Sequence, residues 1–360
     1  MKIGLFGFPQ TGKTTLFNTL TGASAAVGAT GRPETHVGVA RVPDERLDRL
    51  SAMFRPKKTT HATIEYIDPI GVEKGEARKS DSFLQELKQA EALAHVVRGF
   101  ENDSVPHSQG TIDPRRDVET METELILADH TLAVRRAERL EQSIRKSGRE
   151  EDRRELELIR RCIDALERET PLREIPFTDE DSRRLRGFAF LSAKPLLIVL
   201  NAGEKDAGRL ESALAERGLT RFAGKKEMAV CAASAQIEME IARLEPPDAR
   251  AFMDELGLGE PALDRIIRSS YALLGLVSFF TVGEDECRAW TIRDGTRALQ
   301  AAGTIHSDIE RGFIRAEVVE WKALLEAGSL AAARERGKLG LEGKDYRVRD
   351  GDVVHFRFNI

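Results

Sequence analysis

Eight residues near the start, Gly7-Phe8-Pro9-Gln10-Thr11-Gly12-Lys13-Thr14, fit G-x-x-x-x-G-K-[ST] at every fixed position. That order of residue types suits phosphate. Glycines let backbone N–H groups curl around phosphate oxygens, the helix N-terminus adds partial positive charge, a lysine reaches the β- and γ-phosphates, and a threonine hydroxyl ligates magnesium. Lys13 and Thr14 take the last two roles, and Gln10, Thr11, Gly12 and Thr15 join them as candidate nucleotide ligands. Further along, Asp68-Pro69-Ile70-Gly71 has the D-x-x-G form, in which the aspartate touches the magnesium shell and the glycine N–H senses the γ-phosphate. Asp68 and Thr14 are the candidate metal residues on this reading, and a turn-forming Asp-Pro is its rival.

A base-reading loop should follow a late strand, and Asn201-Ala202-Gly203-Glu204 comes directly after the apolar run Leu196–Leu200. A guanine reader of the N-K-x-D kind uses an aspartate to accept two guanine N–H donors and a lysine stem to pack on the loop. Here Ala202 replaces the lysine and Glu204 is one methylene longer, a geometry that favours guanine less and admits adenine. Asn201 as a plain turn former is the competing reading. Ser234 and Ala235, in the stretch Ala233-Ser234-Ala235, fit a base-backing loop, although small residues are common in turns.

These groups need a scaffold. Ile3–Phe6 is a short apolar run that leads through the glycine turn into the helical pattern Thr15–Leu20, which reads as strand, loop, helix. Residues 62–67 alternate and end at Asp68, while Leu93–Val97 and Pro195–Leu200 read as strands buried on both faces. Strands alternating with helices predict a mostly parallel α/β sheet. Met121, Leu125, Ala128 and Leu132, then Leu156, Ile159, Ile163 and Leu166, recur at spacings of three and four within dense Arg and Glu. They predict two amphipathic helices, broken near Ser147-Gly148, that form an antiparallel hairpin. Near the end, Tyr346–Phe358 reads as a β-hairpin around Asp350-Gly351. The expected organisation is a P-loop domain from 1–117 and 191–276, a helical insertion at 118–190, and a separate α+β module at 277–360.

Composition excludes several classes. The 360 residues carry 55 Lys+Arg against 60 Asp+Glu, a formal charge of -5, so any nucleic-acid contact must be a local patch and DNA is not an expected partner. Three widely spaced cysteines without a CxxC argue against a disulfide framework or a cysteine-rich zinc site. No apolar run approaches a membrane span, and the chain enters a patterned strand after Met1-Lys2 instead of a signal peptide, so a cytoplasmic protein is expected.

With these residues in hand, the chain resembles the YchF-type Obg-like ATPases. The specific parts are Phe100-Glu101-Asn102-Asp103, Thr123–Asp129, Ala289-Trp290-Thr291, His306, Gly312–Glu317, and Glu342–Tyr346 through the terminal Phe-Asn-Ile. The resemblance covers nearly the whole chain. It implies a G domain with a coiled-coil insertion and a C-terminal TGS module of β-grasp fold, ATP in preference to GTP, and association with the ribosome; contact with ribosomal RNA through the arm and the TGS module belongs to the scaffold reading weighed below. It also implies a water-positioning role for His107 in the loop Ser104–Gly110, swinging over the γ-phosphate; a loop histidine without catalytic duty is the alternative.

The chain departs from the family pattern at three places. Gln10 stands where the family has a potassium-linked Asn, which leaves K+ open as a cofactor. Arg32 falls where a magnesium-linked Thr is expected, with Thr35 and Thr30 as nearby substitutes. The stretch Gly75–Asp81 is shorter and more charged than the family's glycine-rich segment. Val72 follows the D-x-x-G, and an apolar side chain there cannot orient water, so slow basal hydrolysis is expected. Two rivals to an ATP-hydrolysing switch are a P-loop kinase and a scaffold that holds nucleotide as a structural ligand. Arg347, Arg349 and Arg357 with Phe356 and Phe358 lend the scaffold reading some basic and aromatic character, although such aromatics on a hairpin are more often core.

Overall fold

The computed structural model describes residues 1–25, 35–69, 81–102 and 104–359. In chain order the elements are β1 (Lys2–Phe6), α1 (Lys13–Thr21), β2 (His36–Arg41), α2 (Glu45–Phe54), β3 (Lys58–Thr60), β4 (Thr63–Asp68), α3 (Asp81–Gln89), β5 (Ala92–Gly99), α4 (Pro114–Ser147) and α5 (Glu150–Glu167). There follow α6 (Asp179–Leu185), β6 (Leu196–Ala202), α7 (Leu210–Glu216), β7 (Met228–Ala233), α8 (Ala235–Ile241), α9 (Pro246–Glu255) and α10 (Ala262–Leu273). The last part holds β8 (Leu276–Thr281), β9 (Glu286–Arg293), α11 (Ala298–Ile305), α12 (Ser307–Arg311), β10 (Phe313–Glu320), α13 (Trp321–Ala327), α14 (Leu330–Glu335), β11 (Gly340–Glu342) and β12 (Asp352–Phe358).

Two compact units emerge: Met1–Gly38 with Glu65–Ser269, and Val39–Ile64 with Ser270–Ile360. The first is built on a six-stranded sheet in the order β2-β4-β1-β5-β6-β7. Its β1, β4, β5, β6 and β7 pair in parallel, and every residue of β5 and β6 is buried, as expected where helices cover both faces. The arm grows from the same unit. Asp113 caps α4 by accepting from the Arg116 N–H at 3.0 Å, Pro114 opens the helix, and Gly148 at φ 63° ends it. Against α4, α5 buries Leu156, Ile159, Cys162 and Leu166 among Ala133, Ala137 and Leu140.

The arm is fastened at its root by Asp129. Its carboxylate, 1% exposed, accepts from the N–H groups of Leu191 (2.9 Å) and Ser192 (2.7 Å), and burial pushes it up to about 6 despite those bonds. A raised carboxylate binds its proton more tightly folded than unfolded. Its stabilising contribution is therefore complete below the unfolded value near 4 and is lost as pH rises through about 6. The unfolding free energy of the wild type should fall by about 2 kcal/mol more between pH 4 and 7 than that of Asp129→Asn, as urea titrations at each pH will show.

The second unit is a mixed sheet in the order β11-β10-β12-β8-β9-β3, with β12 parallel to β8 and β3 parallel to β9. Its core holds Phe279, Ile292, Ala301, Val318, Val354 and Phe356 beneath α11. Two sequence expectations change here. Residues 39–64, expected in the P-loop domain, pack with this unit, which also takes in residues 270–276 ahead of the expected α+β module. Residues 346–348 do not pair with β12 as a hairpin. Asp352 accepts from the Arg349 N–H and the Tyr346 hydroxyl, both at 2.8 Å, which fixes the turn, and β12 then pairs with β10 and β8. Arg347 makes only an isolated bridge to Arg297.

Candidate functional site

The phosphate loop is shaped by backbone that side chains resist. Gly7 has φ 141° and a Cβ there would lie 2.4 Å from the Val96 carbonyl oxygen; Gly12 has φ 88° and a Cβ would lie 2.2 Å from Asn201 Nδ2. Gln10 is exposed and also adopts a positive φ, 61°. Thr11 is buried and its hydroxyl donates to the Phe8 carbonyl at 3.1 Å. From the first turn of α1, Lys13 Nζ donates back across the loop to the carbonyls of Gly7 (3.0 Å) and Phe8 (2.8 Å). Burial lowers Lys13 to about 8, partly opposed by Asp68.

Thr14 and Asp68 come together: the threonine hydroxyl donates to Asp68 Oδ2 at 2.8 Å. Burial raises the carboxyl of Asp68 while this bond, Lys13 and His36 oppose the rise. Two hard oxygen donors side by side at the loop are a set that suits magnesium, which usually takes only one or two protein ligands beside phosphate. No cluster of three or more His, Cys, Asp or Glu side chains that could hold a metal occurs among the described residues, so a metal here would depend on phosphate oxygens as well. Thr15 lies in the same helical turn, half-buried, with its carbonyl accepting from Thr19.

Asn201, 5% exposed, does more than form a turn. Its Nδ2 donates to the Thr11 carbonyl at 2.9 Å, and its Oδ1 accepts from the Ala235 N–H at 3.0 Å. One amide thus ties the end of β6 to both the phosphate loop and the loop after β7. Ala202 is buried, whereas Glu204 is exposed at the start of a 3-10 turn, Glu204–Arg209. Ser234 sits at the N-cap of α8 yet makes no capping bond, and its buried Oγ has no partner among the described residues. Phe100 flanks this loop, 3.5 Å from where a Cβ on Gly203 would lie, and the Arg98 guanidinium packs over its ring at 4.5 Å.

Other expected residues lie elsewhere. Thr35, expected beside magnesium, donates its hydroxyl to Glu86 and has no bond to Thr14 or Asp68 among the described residues. His107 is not a surface histidine. It is 9% exposed, its Nδ1 accepts from the Gln109 N–H at 3.1 Å, and its Nε2 lies 3.0 Å from Asp117 Oδ2 without hydrogen-bond alignment. Burial holds it below the ordinary imidazole range, with Asp117 opposing. Gly71, Val72, Thr30 and Arg32 lie outside the described residues. Sequence reasoning missed His95, 1% exposed and stacked on Phe6 at 4.6 Å, which burial lowers to about 3. An imidazole inside the apolar run Leu93–Val97 was the available signal.

A glycine-shaped phosphate loop between β1 and α1, on a parallel sheet in which the neighbouring strand β4 ends at the aspartate bonded to Thr14, defines a P-loop NTPase. The comparisons narrow the class. A family model described as a 50S ribosome-binding GTPase matches residues 2–136, and the YchF GTPase C-terminal model, described as a protein of unknown function, matches 276–359. The ribosome-binding ATPase YchF of Bacillus subtilis (strain 168) is 40% identical over 365 residues, 99% of each chain. That of Escherichia coli O157:H7 is 38% identical over 366 residues, 100% of this chain and 99% of its own. Among solved structures, the Schizosaccharomyces pombe YchF GTPase superposes with a TM-score of 0.84 at 28% identity, over 99% of this chain and 97% of that one. The chain belongs to the YchF family.

Proposed function

We propose that this chain is a nucleotide-dependent switch that binds and slowly hydrolyses ATP in preference to GTP and associates with the ribosome in the cytoplasm. The observation that carries the reading is the bond between Thr14 and Asp68, which joins the phosphate loop to the end of β4. The names of its relatives, ribosome-binding ATPases, support the activity and the partner. Among the described residues no helix is long and apolar enough to cross a membrane.

Binding begins with Lys13, whose Nζ now rests on two neutral carbonyls. A phosphate oxygen is a stronger acceptor, and the ammonium turns to it with Gln10–Thr15 supplying backbone N–H groups. Thr14 and Asp68 would hold magnesium, which when bound neutralises charge on the β- and γ-phosphates. Thr35 would join them only by leaving Glu86, and Gly71 N–H would meet the γ-phosphate. Asn201 holds the base loop closed, Ala202 and Ala235 line it, and Ser234 and Glu204 supply the polar groups nearest the base. Gln10 in place of the family's Asn leaves potassium unassigned.

His107 serves as the water-positioning residue once it leaves Asp117. The expected result for His107→Ala is a loss of at least about tenfold in ATP turnover at saturating ATP, with affinity little changed. Unchanged turnover would discard that role. Ribosomal RNA is the proposed contact of the arm and the C-terminal module, where Arg315 faces Arg357 across the β10–β12 ladder and Arg334 and Arg357 share Glu317. Co-sedimentation with ribosomes in the presence and absence of an ATP analogue tests the whole reading. Nucleotide-sensitive pelleting is expected, and a chain that never pellets is not a ribosome partner.

A further inference from the structure

Residues 39–64 leave the phosphate-loop unit inside β2 and return to it inside β4, and the chain crosses a third time inside α10, between Ser269 and Ser270. Linkers between units are ordinarily flexible loops. All three crossings here lie within regular elements. We propose that residues 39–64 transmit the nucleotide state of the phosphate site to the C-terminal unit, a regulation that rests on the switch reading above.

One end of the transmission is set by the strands. Along β4 the path from Ile64 to Asp68 is about 13 Å at the usual rise, and Asp68 is the residue bonded to Thr14. β2 enters past Gly38, where a Cβ would lie 2.6 Å from Thr21 Cβ at the end of α1, so only glycine lets this strand lie against the helix that begins with Lys13. His36, two residues earlier on β2, is near enough to act electrostatically on Asp68. Any shift of Thr14, Asp68 or α1 on nucleotide binding therefore acts on both strands.

The other end is welded into the C-terminal unit. β3 extends its sheet, pairing Lys58, Thr59 and Thr60 with Glu286, Cys287 and Arg288, and the N–H groups of Lys57 and Lys58 donate to the carbonyls of Glu284 (3.0 Å) and Asp285 (3.1 Å). Arg46 donates to Asp44 (2.8 Å) and to Asp350 (2.6 Å), lies over the Phe280 ring at 5.3 Å, and is held well above its ordinary value by these two carboxylates. Asp350 in turn accepts from the Ser278 N–H at 2.9 Å. One guanidinium thus fixes the cap of α2 to β8 and to the turn before β12.

The test is hydrogen exchange on the full chain with and without a non-hydrolysable ATP analogue in magnesium, with binding verified by calorimetry on the same sample. In the wild type, amides of residues 57–60 and of β8 and β9 should change protection by about fivefold or more on binding, the lower end of measured coupling. Arg46→Ala should lose that response while still binding nucleotide. Asp350→Asn keeps an acceptor for Ser278 and should reduce the response in a folded protein, so it decides the matter if Arg46→Ala unfolds. The proposal is overturned by a wild type that binds nucleotide with no change in those amides, or by an undiminished response in Asp350→Asn. A wild type that binds no nucleotide overturns the switch reading itself.

Discussion

Replacing Lys13 by alanine will lower affinity for an ATP analogue by about a hundredfold or more, the cost of removing one partner of a desolvated ion pair. The reason lies in its setting: the half-buried ammonium rests on the Gly7 and Phe8 carbonyls, and no other cation is bonded to these carbonyls among the described residues. The same burial makes binding pH-dependent. Lys13 stands at about 8 in the free protein, and phosphate charge raises it in the complex. Binding should therefore take up protons at pH 9 and almost none at pH 6.5, and affinity should fall as pH rises through 8. Calorimetry in buffers of different ionisation enthalpy reads the proton count directly, and a count of zero at pH 9 would contradict the assignment of Lys13.

The second large effect belongs to Asn201. Alanine there leaves the Thr11 carbonyl and the Ala235 N–H without their partner in a buried site, at about 1–3 kcal/mol each. Urea unfolding should show a loss of about 3 kcal/mol, and nucleotide affinity should fall as well, because the phosphate loop and the base loop lose their common tie. Aspartate is no rescue. It would turn an acceptor toward the Thr11 carbonyl, so Asn201→Asp should lose nearly as much, whereas a simple turn former would tolerate it.

The parts of the fold readable in advance are those whose signals are local. The phosphate loop is eight consecutive residues, β5 and β6 are unbroken apolar runs, and the arm repeats at helical spacing to a break at Gly148. The parts that were not readable depend on partners far away in the chain. β3 is three residues long with an exposed pattern, and it finds its place only by pairing with β9 more than 220 residues later. Asp350-Gly351 carries a hairpin signal, yet its aspartate is spent on Arg46 and Ser278, and β12 pairs elsewhere.

The candidate site divides along the same line. Residue types named Lys13, Thr14, Asp68 and Asn201, because each acts through chemistry its side chain must possess. Its arrangement was beyond a linear pattern: that the Asn201 amide is consumed by two backbone groups, that Thr35 turns to Glu86, and that His107 is buried against Asp117. The two aromatics weighed for nucleic-acid contact also separate, since Phe356 is in the core and Phe358 is 42% exposed. Alternation along one strand cannot tell a last, uncovered position from a covered one.

Nucleotide choice at the phosphate loop is read by a paired calorimetric titration of nucleotide-free protein with non-hydrolysable ATP and GTP analogues in magnesium, repeated with potassium and with sodium. With Ala202 and an exposed Glu204 in the base loop, the adenine analogue should bind more tightly. Tighter binding of the guanine analogue would contradict the nucleotide assignment, and binding of neither would contradict the switch.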